Sequence, residues 1–277
     1  MPPVSWQQEG PMSDAALELV DIGANLSHSS FRKDLDEVLE EAARVGVQTL
    51  IVTGANAKSA VDGLALARRH PERLRATAGF HPHHAAEWHG ESEALLRELA
   101  ADPLLVSVGE TGLDFYRDIS PRPVQERVFE RHLELACELK LPVFLHQREA
   151  HERFRDMVRA YRDDLVDGIA HCFTGDRRML HEYLDLGLHI GITGWVCDER
   201  RGQALRECVA DIPLDRLMIE TDCPYLMPRT IRPRPKTRRN VPAHLPYVLD
   251  EVATLTGHNR ATIARATTTN ARRFFRL

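Results

Sequence analysis

The chain has 277 residues, 43% hydrophobic and 28% charged, with a formal net charge of −5. Those proportions support a sizeable core and exclude extensive disorder, while the acidic sum excludes a uniformly basic nucleic-acid binder and leaves room for a local basic site. Five cysteines with no Cys-x-x-Cys pair, and no apolar run near the ~20 residues of a membrane span, exclude a disulfide framework, a zinc ribbon and a membrane helix.

Residues 1–17, "MPPVSWQQEGPMSDAAL", lack a basic start and an apolar stretch, so they read as a flexible tail rather than a secretory signal, with Met12 as an alternative start. From residue 18 to 277 the chain alternates. Short β-rich runs, "LELVDIGAN", "QTLIVTG", "LRATAGFHP", "LLVSVGETGLD", "PVFLHQ", "GIAHCFTG", "LHIGITGW" and "RLMIETDCPY", are separated by helical patterns. Residues 31–45 set Leu35, Val38, Leu39, Ala42 and Val45 on one helical face, and residues 245–255 do the same with Leu245, Val248, Leu249, Val252 and Leu255. Near-continuous apolar strands imply burial on both faces. Eight of them with intervening helices, and no Gly-x-Gly-x-x-Gly after the first, predict a single-domain α/β fold, the (β/α)8 TIM barrel.

In such a barrel every strand delivers its C-terminal end to one rim. Collected there are Asp21 to Asn25 from the first run, His81 and His83 from the third, Glu110 and Asp114 from the fourth, His146 from the fifth, His171 from the sixth and Asp222 from the eighth. Glu110, His146, His171 and Asp222 form a set of imidazoles and carboxylates suited to a divalent ion, Zn2+, Mn2+ or Mg2+, with positions left for water. Asp222 follows an apolar strand, where an unpaired carboxylate is costly, so coordination or proton transfer accounts for it.

The stretches "VSVGETGLDFYR", "VFLHQREAHERF", "AHCFTG", "GITGWVCDERRG", "IETDCPYLMPR" and "RRNVPAHLP" closely resemble the TatD family of metal-dependent deoxyribonucleases, over about residue 19 to the end. The resemblance implies a TIM-barrel metallohydrolase of the amidohydrolase superfamily that degrades DNA with Mg2+. It also implies that Glu110, His146 and His171 are metal ligands and that Asp222 coordinates the metal or activates its water. One departure is visible. Most members resemble Asp-x-His-x-His at the first strand, whereas this chain reads "DIGAN", with Gly23 and Asn25 in the histidine positions. That departure predicts one tight metal, with any second ion weakly held and substrate-dependent. It also predicts that histidines at 23 and 25 would create a second tight site, since residues two apart on a strand face one side. Asp21 is open between a catalytic part and hydrogen bonding to neighbouring backbone.

Asp222 is the expected general base. Among the substrate-binding residues, Arg148 is placed to fork onto a phosphate, unless it pairs with Glu149, and His81 to donate to the same group. His83 and His84 read as exposed loop histidines. Phe173 and Tyr225 could stack on bases or pack. "RTIRPRPKTRR", residues 229–239, carries six cations and no acid, including Arg238 and Arg239, and fits a phosphate backbone. These readings predict a cytoplasmic, monomeric exonuclease with no membrane association, acting 3′ to 5′ mainly on single-stranded DNA, with RNA as a further partner, in DNA repair or degradation. Hydrolysis of another ester on the same barrel, such as a D-aminoacyl-tRNA, is the alternative reading.

Overall fold

The eight apolar runs become eight parallel strands in the order β1 to β8: Leu19–Ala24, Val47–Val52, Leu74–Ala78, Leu105–Asp114, Val143–Arg148, Gly168–Ala170, His189–Ile192 and Leu217–Ile219. The computed structural model describes residues 17–277, so the tail expected over 1–17 lies, Leu17 apart, outside the described residues. The ring closes where Ala24 bridges Cys223 in parallel, the Asn25 amide donating to the Cys223 carbonyl at 2.8 Å and the Asp222 amide to that of Gly23 at 2.8 Å.

Helices α1 to α8 return the chain between strands: Leu35–Arg44, Ala57–Arg69, Ser92–Ala100, Arg122–Leu139, His151–Tyr161, Arg177–Asp185, Gln203–Cys208 and, after β8, Leu245–Thr256. The expected helix over 31–45 starts later than its periodicity indicates. Residues Ser29–Phe31 form a short 3-10 turn, and the helix ends at Arg44 because Gly46 turns the chain at φ +94°. Val45 therefore leaves the buried face and is exposed. Helix α8 buries Leu245, Val248, Leu249 and Val252 as expected and stops at Gly257, φ +71°, a left-handed C-terminal cap.

A ninth helix, α9 (Arg260–Phe275), closes the N-terminal end of the barrel. Its Ala271, Phe274 and Phe275 pack beneath the interior residues Val20, Ile22, Ile51, Val106, Phe144, Ile169 and Met218. Asn270 secures it by donating to the carbonyls of Leu214 and Leu217 at 2.7 and 2.8 Å. With that floor sealed by apolar side chains, the C-terminal rim is the end where polar groups can gather. Among the described residues no helix is long and apolar enough to cross a membrane.

Candidate metal centre

Strand β4 is bent to deliver its carboxylate. Its pairing with β5 slips between Gly109 and Thr111, and Gly109 and Gly112 adopt φ of +130° and +141°, conformations costly for any side chain. An added Cβ would lie 2.2 Å from the Phe144 carbonyl at 109 and 1.9 Å from that of His146 at 112. The bulge between these glycines carries Glu110, which is 6% exposed. Its Oε1 lies 2.8 Å from His171 Nε2, 3.2 Å from His146 Nδ1 and 3.4 Å from His81 Nε2. Three imidazole nitrogens crowd one carboxylate oxygen, more than its lone pairs serve. A cation among them would use the same lone pairs better, so the donor set fits a divalent ion.

The second nitrogen fixes the use of His171 and His81, but not that of His146. His171 Nδ1 faces Glu220 Oε2 at 3.3 Å, so a proton there leaves Nε2 free to coordinate. His146 Nε2 faces Asp114 Oδ2 at 3.6 Å, too long for a hydrogen bond, and Nδ1 faces the centre. The ligand atoms of His81, Glu110 and His146 lie within 4.8 Å of one another. His81 differs in its protons: Nδ1 accepts from the His83 amide at 3.0 Å, which leaves Nε2 carrying hydrogen on the side of Glu110 Oε1, 3.4 Å away.

Electrostatics reflect this crowding. Burial opposes charge on His171, but the carboxylates of Glu110 and Glu220 outweigh it and raise the pKa well above the ordinary histidine range. Burial also opposes the charge on Glu110, and there the surrounding imidazoles prevail and hold its pKa well below the ordinary carboxylate range. For His81 burial wins and lowers the pKa. Asp222 sits in a left-handed turn at φ +52°, just past β8, and its Oδ1 accepts from Asn25 Nδ2 at 2.9 Å. Loss of hydration, then His171 pulling down and Glu110 and Glu220 pushing up, leave Asp222 at about 7.

The remaining expected residues fall on both sides of the reading. Asp21 is fully buried, taking bonds from the Thr221 amide at 2.9 Å, the Thr221 hydroxyl at 2.6 Å and the Gly23 amide at 3.3 Å. That is the backbone-tying arrangement. His83 is not a free loop histidine, because its Nε2 meets Asp114 Oδ2 at 2.7 Å, whereas His84 pairs with Glu87 nearer the surface. The guanidinium of Arg148 lies 3.9 Å above the Tyr116 ring instead of on Glu149. Phe173 is buried edge-on against Tyr183 and packs, while Tyr225 is exposed. In the basic segment Arg232, Arg234, Lys236 and Arg238 are exposed. Arg239 is instead forked onto Asp34 at 3.0 and 2.6 Å, so its guanidinium anchors the segment to the loop before α1.

Glu220 has no counterpart among the sequence-derived candidates. It is fully buried, faces His171, and accepts from the Cys172 amide at 2.6 Å. Its carboxylate fills the space left by two glycines: a Cβ on Gly23 would lie 2.3 Å from Oε2 and one on Gly191 2.7 Å from Oε1. A histidine at position 23 would therefore have to displace this carboxylate before it could act as a ligand. The signal available in sequence was a second carboxylate two residues before Asp222 in "IETD".

His132 supports the site from below. Nε2 accepts from the Phe80 amide at 3.0 Å, just before His81, and Nδ1 donates to the Val128 carbonyl at 2.7 Å. Burial pushes its pKa from 6.5 down to about 4. The folded state thus binds its proton less readily than the unfolded chain. The stability contribution is full above pH 6.5 and is lost as pH falls from there toward about 4, amounting to about 3 kcal/mol. The urea midpoint of the wild type should accordingly drop more steeply over that window than that of His132→Gln; parallel profiles would assign the acid sensitivity elsewhere.

Comparison with known proteins matches residues 20–276 to the family model described as TatD related DNase. The chain belongs to the family of TatD-related DNases. As a member it is a metal-dependent hydrolase of phosphodiester bonds. It is 51% identical over 259 residues, 94% of this chain and all of the relative, to the 3′-5′ ssDNA/RNA exonuclease TatD of Erwinia tasmaniensis. The Salmonella typhimurium protein of the same name is 46% identical over 257 residues, covering 93% of this chain and 98% of the relative. Among solved structures, the TatD homolog YjjV of Escherichia coli K12 superposes with a TM-score of 0.86 at 26% identity, covering 95% of this chain and 99% of that one.

Proposed function

We propose that the chain is an exonuclease removing nucleotides 3′ to 5′ from single-stranded DNA, and from RNA, with Mg2+ at Glu110, His146, His171 and Asp222. The observation that carries this reading is the gathering of these four rim groups in a chain half identical to proteins named as such exonucleases. A divalent ion held there supplies charge for a phosphoryl oxygen and lowers the pKa of water. Asp222, with Oδ1 fixed by Asn25, would take the proton of the attacking water at Oδ2. His81 donates from Nε2 to a phosphate oxygen. Arg148 and Arg238 neutralise the strand, and Arg239 does so only by leaving Asp34. A second ion, lacking ligands at Gly23 and Asn25, is weak and held with the substrate. One chain supplies the whole site, in keeping with a monomer, and the free thiols fit a cytoplasmic setting in strand repair or degradation.

The test is to strip metal by chelation, then add Mg2+, Mn2+ or Zn2+ with strands labelled at one end. A 5′ label should yield a ladder of shortening strands and a 3′ label an immediate mononucleotide. The reverse pattern would overturn the polarity. Release of an aminoacyl group from D-aminoacyl-tRNA with no cutting of either strand would overturn the nuclease reading.

A further inference from the structure

Two large aromatic rings stand open among the described residues. Among the described residues the exposed large hydrophobic side chains are Val45, Val61, Tyr116, Ile119, Val166 and Tyr225, and the tyrosines, at 61% and 53% exposure, are its aromatic members. Both follow barrel strands at the C-terminal rim, Tyr116 after β4 and Tyr225 after β8. In a closed ring of eight strands the fourth and eighth are diametrically opposite, so the loops that carry the two rings leave the barrel on opposite sides of the mouth that holds Glu110.

Neither ring is a loose end. Asp114 accepts the amides of Tyr116 and Arg117 at 3.1 and 2.8 Å, and its other oxygen holds His83, so the Tyr116 loop is tied to the centre itself. One face of the Tyr116 ring is covered by the Arg148 guanidinium at 3.9 Å. Tyr225 rests edge-on to His28, centroids 6.0 Å apart at 72°. Holding a large apolar ring in water gains nothing for the fold, and a ring that is already fixed loses little entropy when a flat partner lies on it.

We propose that Tyr116, backed by Arg148, and Tyr225, across the mouth, are stacking stations for two nucleobases of a single strand, one on each side of the phosphate at Glu110. The proposal rests on the nuclease reading and adds the source of strand selectivity. Bases in a duplex have their faces covered by neighbours, whereas an unpaired strand can splay two bases apart and lay one on each ring. The cation behind Tyr116 extends the stack as guanidinium, ring and base, and puts positive charge where the phosphates pass. Purines, with the larger face, bind better than pyrimidines at both stations.

The experiment measures binding of short single strands by fluorescence anisotropy, with divalent ions chelated so that nothing is cut. Each strand is used intact and with one base at a time replaced by an abasic residue. The wild type is compared with Tyr116→Ala, Tyr225→Ala and the conservative Tyr116→Phe and Tyr225→Phe. Each alanine change should weaken the intact strand about 5- to 150-fold, the range of one base-on-ring contact. At one abasic position per tyrosine that loss should shrink to near nothing, and the phenylalanine variants should follow the wild type. A loss equal for intact and abasic strands, or no loss with alanine, overturns the stations. A wild type that neither binds the intact strand nor cuts it once Mg2+ is supplied overturns the nuclease reading beneath them, which the unaltered protein alone decides.

Discussion

Replacing His146 with alanine should lower phosphodiester turnover on the order of 10³-fold while leaving the barrel folded. A metal supplies several kcal/mol of transition-state stabilisation, and each 1.36 kcal/mol is tenfold in rate. His146 stands in the C-terminal half of β5, half-buried, with Nδ1 3.2 Å from Glu110. If His146 is the ligand proposed above, its removal takes a donor from the centre but leaves the apolar interior beneath, where Phe144 and its neighbours pack against α9, untouched. Calorimetric titration with Mn2+ should show weakened binding, and the urea midpoint should stay close to that of the wild type. Wild-type turnover at limiting metal would remove His146 from the centre, and collapse of the fold together with activity would make it structural. Glu220→Gln offers a graded comparison. It alters the partner of His171 without removing a ligand, and a lost partner of that kind costs about 10- to 100-fold in metal affinity or activity.

The barrel was legible because its strands are buried on both faces and so read as apolar runs with no alternation to confuse them. The rim set was legible because a polar residue ending such a run has few reasons to be there. What could not be read depends on residues that meet only in three dimensions. Glu220 looks like part of the approach to Asp222 until Gly23 from β1, Gly191 from β7 and His171 after β6 are brought around it. Arg239 looks like one more cation in a basic run, yet its partner Asp34 is 205 residues away. Helix α9 uses small and threonine side chains such as Ala264, Thr267 and Ala271 on its buried face, a weak periodic signal whose purpose becomes evident only against the open floor of a barrel. Tyr116 showed nothing in sequence, since a tyrosine near a strand end is as often packed as displayed.

The second large effect is expected at the first strand. Gly23→His should disrupt the centre instead of adding a metal. An ideal Cβ there lies 2.3 Å from Glu220 Oε2 and 3.3 Å from the Phe144 ring, so the Glu220 carboxylate must shift to admit a side chain. Glu220 is fully buried, with one oxygen on the Cys172 amide and the other facing His171, and the Phe144 ring is fully buried as well. Moving that carboxylate strips a buried charged group of its partners, a loss on the order of 3–5 kcal/mol. The variant should therefore unfold at markedly lower urea and retain less metal after dialysis than the wild type. Asn25→His should be milder, because it loses only the 2.9 Å bond to Asp222 and frees that carboxylate to rotate. If the clash is the cause, shortening the obstructing side chain should relieve it. Gly23→His combined with Glu220→Gly should regain most of the lost stability, whereas two unrelated defects would add. Metal stoichiometry and urea midpoints on the two single variants and the pair decide the matter. A well-folded Gly23→His protein holding two equivalents of metal with Glu220 intact would show that the carboxylate yields easily, and the glycine at position 23 would then need another explanation.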